Sequence, residues 1–282
     1  MIFHGEVTAQ FEDIGPSLAQ SFLEKNLNNR RADKNRIAKY VADMKSGYWC
    51  FNGDAIRFDK SGNLIDGQHR LLSIIKADKS FTFLVIRNVI EESKRTIDTG
   101  KARSGGDVLS LFAGVGSRDA GVLSAAISTL LLYKKGIGIT GGSGNSSHTS
   151  NSCIEIFYKE NYLKLQDSLN FVNSVTDHHM MLLSRSEALF LHYIFSDTSK
   201  DNANLFIEKV ITGASIAMNS NEYLYRSILT KRALKTLKIT KSEVIFTGIK
   251  AWNRNKKGGV YSSEGNLKFG RDEAQSGYPV AY

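Results

Sequence analysis

The 282-residue sequence predicts an α+β protein: a mixed α/β domain over residues 1–107, an all-helical domain over 108–255, and a loop-rich basic tail over 256–282. Three observations carry that reading. A short apolar strand, Leu64-Ile65, runs through Asp66-Gly67 into the apolar helix start Leu71-Leu72-Ser73-Ile74-Ile75. Strand and helix patterns mix up to residue 107, and beyond it apolar residues recur only at helical spacing.

Taken in order, Ile37, Tyr40, Val41 and Met44 fall at i, i+3, i+4 and i+7 and mark a helix that stops at Gly47, before Trp49. Asn52-Gly53-Asp54 reads as a turn with at most a minor site role. Residues 81–87 read as a buried strand. Helical spacing then runs through 108–112, 122–133, 153–172, 188–195, 205–216 and 223–237. The Gly/Ser-rich stretch 136–151 lacks the Lys-Ser/Thr ending of a P-loop, so it reads as a flexible loop, able to fold over a ligand as a lid.

Composition is that of a globular chain, 41% hydrophobic and 23% charged, with a net charge of +9. The charge is uneven: residues 226–282 carry 12 basic and 4 acidic groups, whereas 108–225 carry 8 and 10. Cys50 and Cys153 are the only thiols, too few for a disulfide framework and without C-x-x-C zinc spacing. The opening residues lack a basic and apolar leader, and no apolar run has the length of a membrane span. The expectation is a protein of the reducing cytoplasm with no membrane partner.

The Asp66-to-Arg70 segment, DGQHR, is the strongest chemical signal. A strand, a tight glycine turn and a helix in that order form an anion site, because the free N–H groups of the helix's first turn and its dipole favour negative charge. His69 and Arg70 beside those donors can bond phosphate oxygens from the side. Taken alone, Asp66-Gly67 also suits a plain hairpin corner with Arg70 as a surface charge.

The pentapeptide in this setting resembles the ParB/sulfiredoxin-like superfamily, specifically the "DGQHR" branch found among phage and mobile-element proteins. Partition proteins carry G-E-R-R at this turn and hold a nucleoside triphosphate there; sulfiredoxins carry G-C-H-R with a catalytic Cys. Gln68 stands at that position here, so the resemblance excludes the thiol chemistry. Upstream, Asn28-Asn29-Arg30-Arg31 resembles the N-P-R-R segment of the partition proteins. Downstream, Thr96-Ile97-Asp98-Thr99-Gly100-Lys101-Ala102-Arg103 lies where they carry E-N-x-x-R, and Lys250-Ala251-Trp252-Asn253 resembles a K-A-W-N segment of DGQHR-type phage proteins.

The resemblance implies that an NTP, ATP or CTP, binds with Mg²⁺ and is hydrolysed or used as a phosphate source in a DNA-related process, in the host cytoplasm if the protein is phage-encoded. Asp66, His69 and Asp98 are the candidate catalytic groups. Arg30, Arg31, Gly67, Gln68, His69, Arg70, Lys101 and Arg103 are the candidate nucleotide contacts. Asp98 is either a Mg²⁺ ligand or a turn cap; Gly100, Gly105 and Gly106 offer backbone access, and Asp107 is a second carboxylate nearby. Two alternatives are a DNA-binding regulatory or partition-like module without catalysis, and a ParB-type nuclease or DNA-modification accessory protein.

In the basic C-terminal fifth, Lys231, Arg232, Lys235 and Lys238 could follow a nucleic-acid backbone along one helix, or form the wet face of an amphipathic helix. Trp252 reads as a core anchor of the last helix. Adjacent His178 and His179 point in different directions and lack the partners of a metal site, and His192 reads as a satisfied core histidine. A homo-oligomeric form stays open.

Overall fold

Four strands, β1 (Thr8–Ile14), β2 (Ala55–Asp59), β3 (Leu64–Asp66) and β4 (Phe81–Val89), form one mixed sheet in the order β1-β4-β2-β3. This is a computed structural model, and it describes residues 7–27, 29, 31–97, 103–136, 149–176, 182–268 and 279–282. β1 is antiparallel to β4, β4 parallel to β2, and β2 antiparallel to β3. A parallel pair needs a crossover. Here β3 and the helix α3 (Gln68–Ala77) supply it between β2 and β4.

The chain divides into two compact units, Met1–Ala102 with Ser146–Ser152, and Arg103–Asn145 with Cys153–Tyr282. In the first, α1 (Pro16–Glu24), α2 (Lys34–Lys45) and α3 join the sheet around one core that includes Ile14, Phe22, Met44, Ile56, Leu71, Ile74, Phe83 and Val85. Strand alternation decides which residues enter it. Ile14, Phe83, Val85 and Ile56 share the core face, while Phe11, Leu84 and Arg57 fall on the other.

Among the described residues helices alone build the second unit: α4 (Gly105–Ala113), α5 (Ser117–Lys134), α6 (Asn151–Glu160) from Cys153 on, α7 (Tyr162–Thr176), α8 (Arg185–Phe195), α9 (Lys200–Thr212), α10 (Asn221–Ala233), α11 (Lys241–Lys256) and the short α12 (Glu264–Leu267). The fold class is thus mixed α and β, with all described strands in the first unit. In α8 every residue from Glu187 to Phe195 is buried. Trp252 is 1% exposed and stacks on Phe195 with ring centroids 4.4 Å apart, the core position expected for it.

Several boundaries differ from the sequence reading. The stretch 153–172 is two helices, broken at Asn161, whose side chain donates to the Phe157 carbonyl at 2.9 Å. α9 ends at Thr212 because Gly213 turns left-handed at φ +76°. The tail is also more integrated than a loop: Leu267 is buried in α12, and Trp252 Nε1 and Asn253 Nδ2 donate to the carbonyls of Tyr282 and Val280 at 3.1 and 2.8 Å. Among the described residues no helix is long and apolar enough to cross a membrane.

Candidate functional site

The β2–β3 hairpin and α3 position the site. Asp59 closes the hairpin by accepting the N–H groups of Ser61 and Asn63 at 2.9 and 2.8 Å, and a register shift between Phe58 and Arg57 sets Arg57 opposite Asp66. Gly67 follows at φ +110°. A Cβ there would lie 2.9 Å from Ile56 Cγ1 and 3.3 Å from the Ile56 Cα, so both the backbone conformation and the neighbouring strand exclude a side chain. α3 then starts at Gln68 behind Gly67, an N-cap residue that offers no side-chain acceptor. Its first turn borders a cavity of about 580 Å³ that is also lined by Asn29, Arg36, Tyr40, Asp54, Arg57 and Thr96.

Asp66 spends both oxygens locally. Oδ1 accepts the Gly67 N–H at 2.7 Å, and Oδ2 bonds the guanidiniums of Arg57 and Arg70, the latter at 3.0 Å. This carboxylate locks the turn; it does not stand open as the catalytic group the sequence reading assigned. Arg70 also departs from expectation. It is 9% exposed, and Nη2 donates to the Ala55 carbonyl at 2.7 Å while Nη1 lies 3.3 Å from Asp54 Oδ2. Its Nε is buried with no acceptor among the described residues. The guanidinium thus braces the turn from inside, and the more open cation is Arg57, at 29% side-chain exposure.

His69 Nε2 accepts the backbone N–H of Asp33 at 2.9 Å. This bond ties the start of α3 to that of α2. Asp33 in turn caps α2 by accepting from Asn35 N at 2.8 Å and Arg36 N at 3.4 Å. The Asn35 N–H leads in holding its carboxyl below the usual range, with Arg36 and His69 adding to it and desolvation opposing. Gln68 is half-buried and lines the cavity. Beside His69, the described wall carries three guanidiniums, of Arg36, Arg57 and Arg70, and two carboxylates, of Asp54 and Asp66.

Other assigned residues fall elsewhere. Arg31 is exposed and does not line the cavity, and Arg103 is exposed in the second unit. Arg30, Asp98, Gly100 and Lys101 lie outside the described residues, as do His178, His179 and 137–148. Asp107 forms a capping box: its Oδ2 accepts from Ser104 N at 2.7 Å while its own N–H bonds Ser104 Oγ at 3.2 Å. Gly105 and Gly106 are packing glycines and not a phosphate loop. A Cβ on Gly105 would come 2.3 Å from Ser124 Oγ, and one on Gly106 would come 3.3 Å from the Gly121 Cα.

Sequence reasoning passed over Arg36, Tyr40 and Arg57, and gave Asp54 only a turn role. The turn exists, with Gly53 at φ +80° and the Asp54 N–H bonded to Asn52 Oδ1 at 3.0 Å, yet Asp54 also enters the cavity wall with a side chain 53% exposed. Arg57 had little signal, since the register set by the turn pairs Phe58 with Leu64 and only a shift between Phe58 and Arg57 brings Arg57 across from Asp66.

The basic C-terminal segment is not one helix. α10 ends at Ala233, Lys235 turns left-handed at φ +58°, and α11 begins at Lys241 behind a Thr240–Glu243 capping box. Lys231 Nζ pairs with Glu264 Oε2 at 2.7 Å, and Arg232 bonds Glu187. Burial lowers the Lys241 pKa although nearby Glu187 opposes it. Lys235 and Lys238 are exposed. Comparison with protein-family models, curated proteins and solved structures finds no match.

Proposed function

We propose that the cavity behind Gly67 binds a nucleoside triphosphate, ATP or CTP, with Mg²⁺, in a ParB/sulfiredoxin-like phage or mobile-element protein that hydrolyses it or uses its phosphate in a DNA-related process. The observation that supports this best is the first turn of α3, begun by a glycine N-cap, on a cavity whose wall also carries Arg36 and Arg57. A volume of about 580 Å³ lies within the roughly 300–1,000 Å³ of small-molecule sites.

In this reading the α3 N–H groups and Arg57 take phosphate oxygens, the Gln68 amide orients the ligand, and the Asp66–Arg70 pair keeps the turn rigid. Among the described residues there is no cluster of three or more metal-ligating side chains. Mg²⁺ carried on phosphates needs only one or two carboxylates, however, and among the described residues Asp54 is the open one at this cavity. The ion would neutralise phosphate charge when bound. The test is equilibrium binding of ATP, CTP, GTP and UTP, with and without Mg²⁺ and DNA, followed by phosphate release. Binding that Arg57→Ala weakens supports the assignment, and absence of binding in every combination overturns it.

A second reading, a DNA-binding module without catalysis, draws on the exposed Lys235 and Lys238 and on the basic excess of residues 226–282. It predicts DNA binding that ignores nucleotide.

A further inference from the structure

β1 is an outer strand of the described sheet, and residues Thr8 to Phe11 are all exposed along it. Natural proteins guard such an edge with outward charges, prolines or bulges, because its unpaired N–H and C=O groups template pairing with another strand. Among the described residues no proline or bulge interrupts β1, and its two acids both have partners on β4. Its register with β4 is unbroken over seven residues, Glu12 is turned onto Arg87, and Asp13 accepts from Thr82 Oγ1. Beside the edge, Phe11 and Phe51 are 66% and 55% exposed and stack edge-on at 5.5 Å.

We infer that β1 is a self-pairing edge, and that two copies of this chain join their sheets antiparallel across a two-fold axis at Phe11. The occupant is identified by self-complementarity. Centred on Phe11, the antiparallel register sets Gln10 opposite Glu12 of the other copy and Ala9 opposite Asp13. No like charges face each other, and the Gln10–Glu12 amide-to-carboxylate bond seen within one chain at 2.6 Å has an equivalent pairing across the seam. Moving the axis to Glu12 would set two carboxylates against each other. At the Phe11 axis both Phe11 rings meet on one face, each backed by its own Phe51, and the exposed apolar surface is covered. A two-fold, isologous contact of this kind closes on itself and leaves no further edge of β1 to propagate.

The seam is tested on the full chain. Light scattering over a wide concentration range should show a monomer–dimer equilibrium, and Phe11→Glu, which sets two carboxylates on the axis, should abolish the dimer with the circular dichroism spectrum unchanged. Register is tested separately in a Cys50→Ser, Cys153→Ser background. Antiparallel partners have Cα atoms about 4.5–5.5 Å apart, within disulfide reach. Under mild oxidation, a mixture of Ala9→Cys and Asp13→Cys chains should therefore cross-link, and neither alone should. A monomer at every concentration overturns the proposal, as does a dimer that survives Phe11→Glu or a mixture that fails to link. Pairing of β1 with a strand of a different protein, while the chain stays monomeric, also overturns it.

Discussion

Arg232 lies on Glu187 with both ends of its guanidinium, Nη2 to Oε1 at 3.0 Å and Nη1 to Oε2 at 3.2 Å, and Glu187 is 1% exposed. The same carboxylate caps α8 by accepting the Ser184 N–H at 2.8 Å. One of the four cations proposed for nucleic acid therefore neutralises a buried charge of the helical core. Arg232→Ala should lower unfolding free energy by about 3 kcal/mol, the low end for stranding one partner of a buried pair, because Arg232 itself is partly exposed. Urea denaturation measures it. A loss below about 1 kcal/mol would mean that the pair behaves as a surface contact.

That pairing, with the one between Lys231 and Glu264, reduces the cations of this segment open to DNA to Lys235 and Lys238. If the protein binds DNA here, exchanging both for Gln should flatten the logarithmic salt dependence by about two phosphates' worth, at roughly 0.9 per phosphate. Adding Lys231→Gln should change the slope little further. Shift assays over a salt series give the slopes, and an unaltered slope in the double variant would remove this segment from the DNA interface.

Acid should destabilise the second unit through His192. The ring is buried, stacks on Phe171 at 4.5 Å, and pairs Nε2 with Asn204 Oδ1 at 2.7 Å and Nδ1 with Ser168 Oγ at 2.9 Å. Desolvation lowers its pKa below the ordinary 6.5, against the Asn204 bond and Asp167, which raise it. The unfolded chain then takes up the proton first, so the neutral ring's contribution is complete above about pH 6.5 and is lost as pH falls through the lower folded value. Unfolding free energy should decline as pH falls below about 6.5, and His192→Gln, which cannot titrate, should remove that part of the slope.

The DGQHR turn was legible because its requirements are local. A glycine with positive φ between an apolar strand and an apolar helix leaves few backbone solutions, and Gly67 adopts one of them. Helices whose apolar spacing is strong, such as α2 and α8, were legible for the same reason. Which charges face the ligand was not legible, since that depends on pairings distant in sequence. Arg70 turns inward because Ala55 and Asp66 accept from it, and Arg57 comes opposite Asp66 through a register shift in the hairpin. The broken basic helix escaped notice because lysine and leucine spacing continues through 231–241, while Lys235 leaves the helical conformation on its own.

Arg57 and Arg70 share one carboxylate, yet their loss should have different consequences. Arg70 is 9% exposed and holds Ala55, Asp66 and Asp54 together, so Arg70→Ala takes the guanidinium from the buried Ala55 carbonyl and one of two guanidiniums from Asp66. Its main effect should be on stability, about 1–3 kcal/mol for the unsatisfied groups. Arg57 is more open, and Asp66 retains Arg70 and the Gly67 N–H when Arg57 is removed. Arg57→Ala should therefore fold with little loss and instead weaken nucleotide binding by about 1.5–3 kcal/mol, the range for a hydrogen bond to a charged group. Thermal melts separate the two variants without ligand, and calorimetric titration with the preferred nucleotide separates them with it. If Arg57→Ala leaves affinity unchanged while a well-folded Arg70→Ala abolishes it, Arg70 and not Arg57 is the phosphate contact, and the inward bracing of Arg70 gives way when ligand binds.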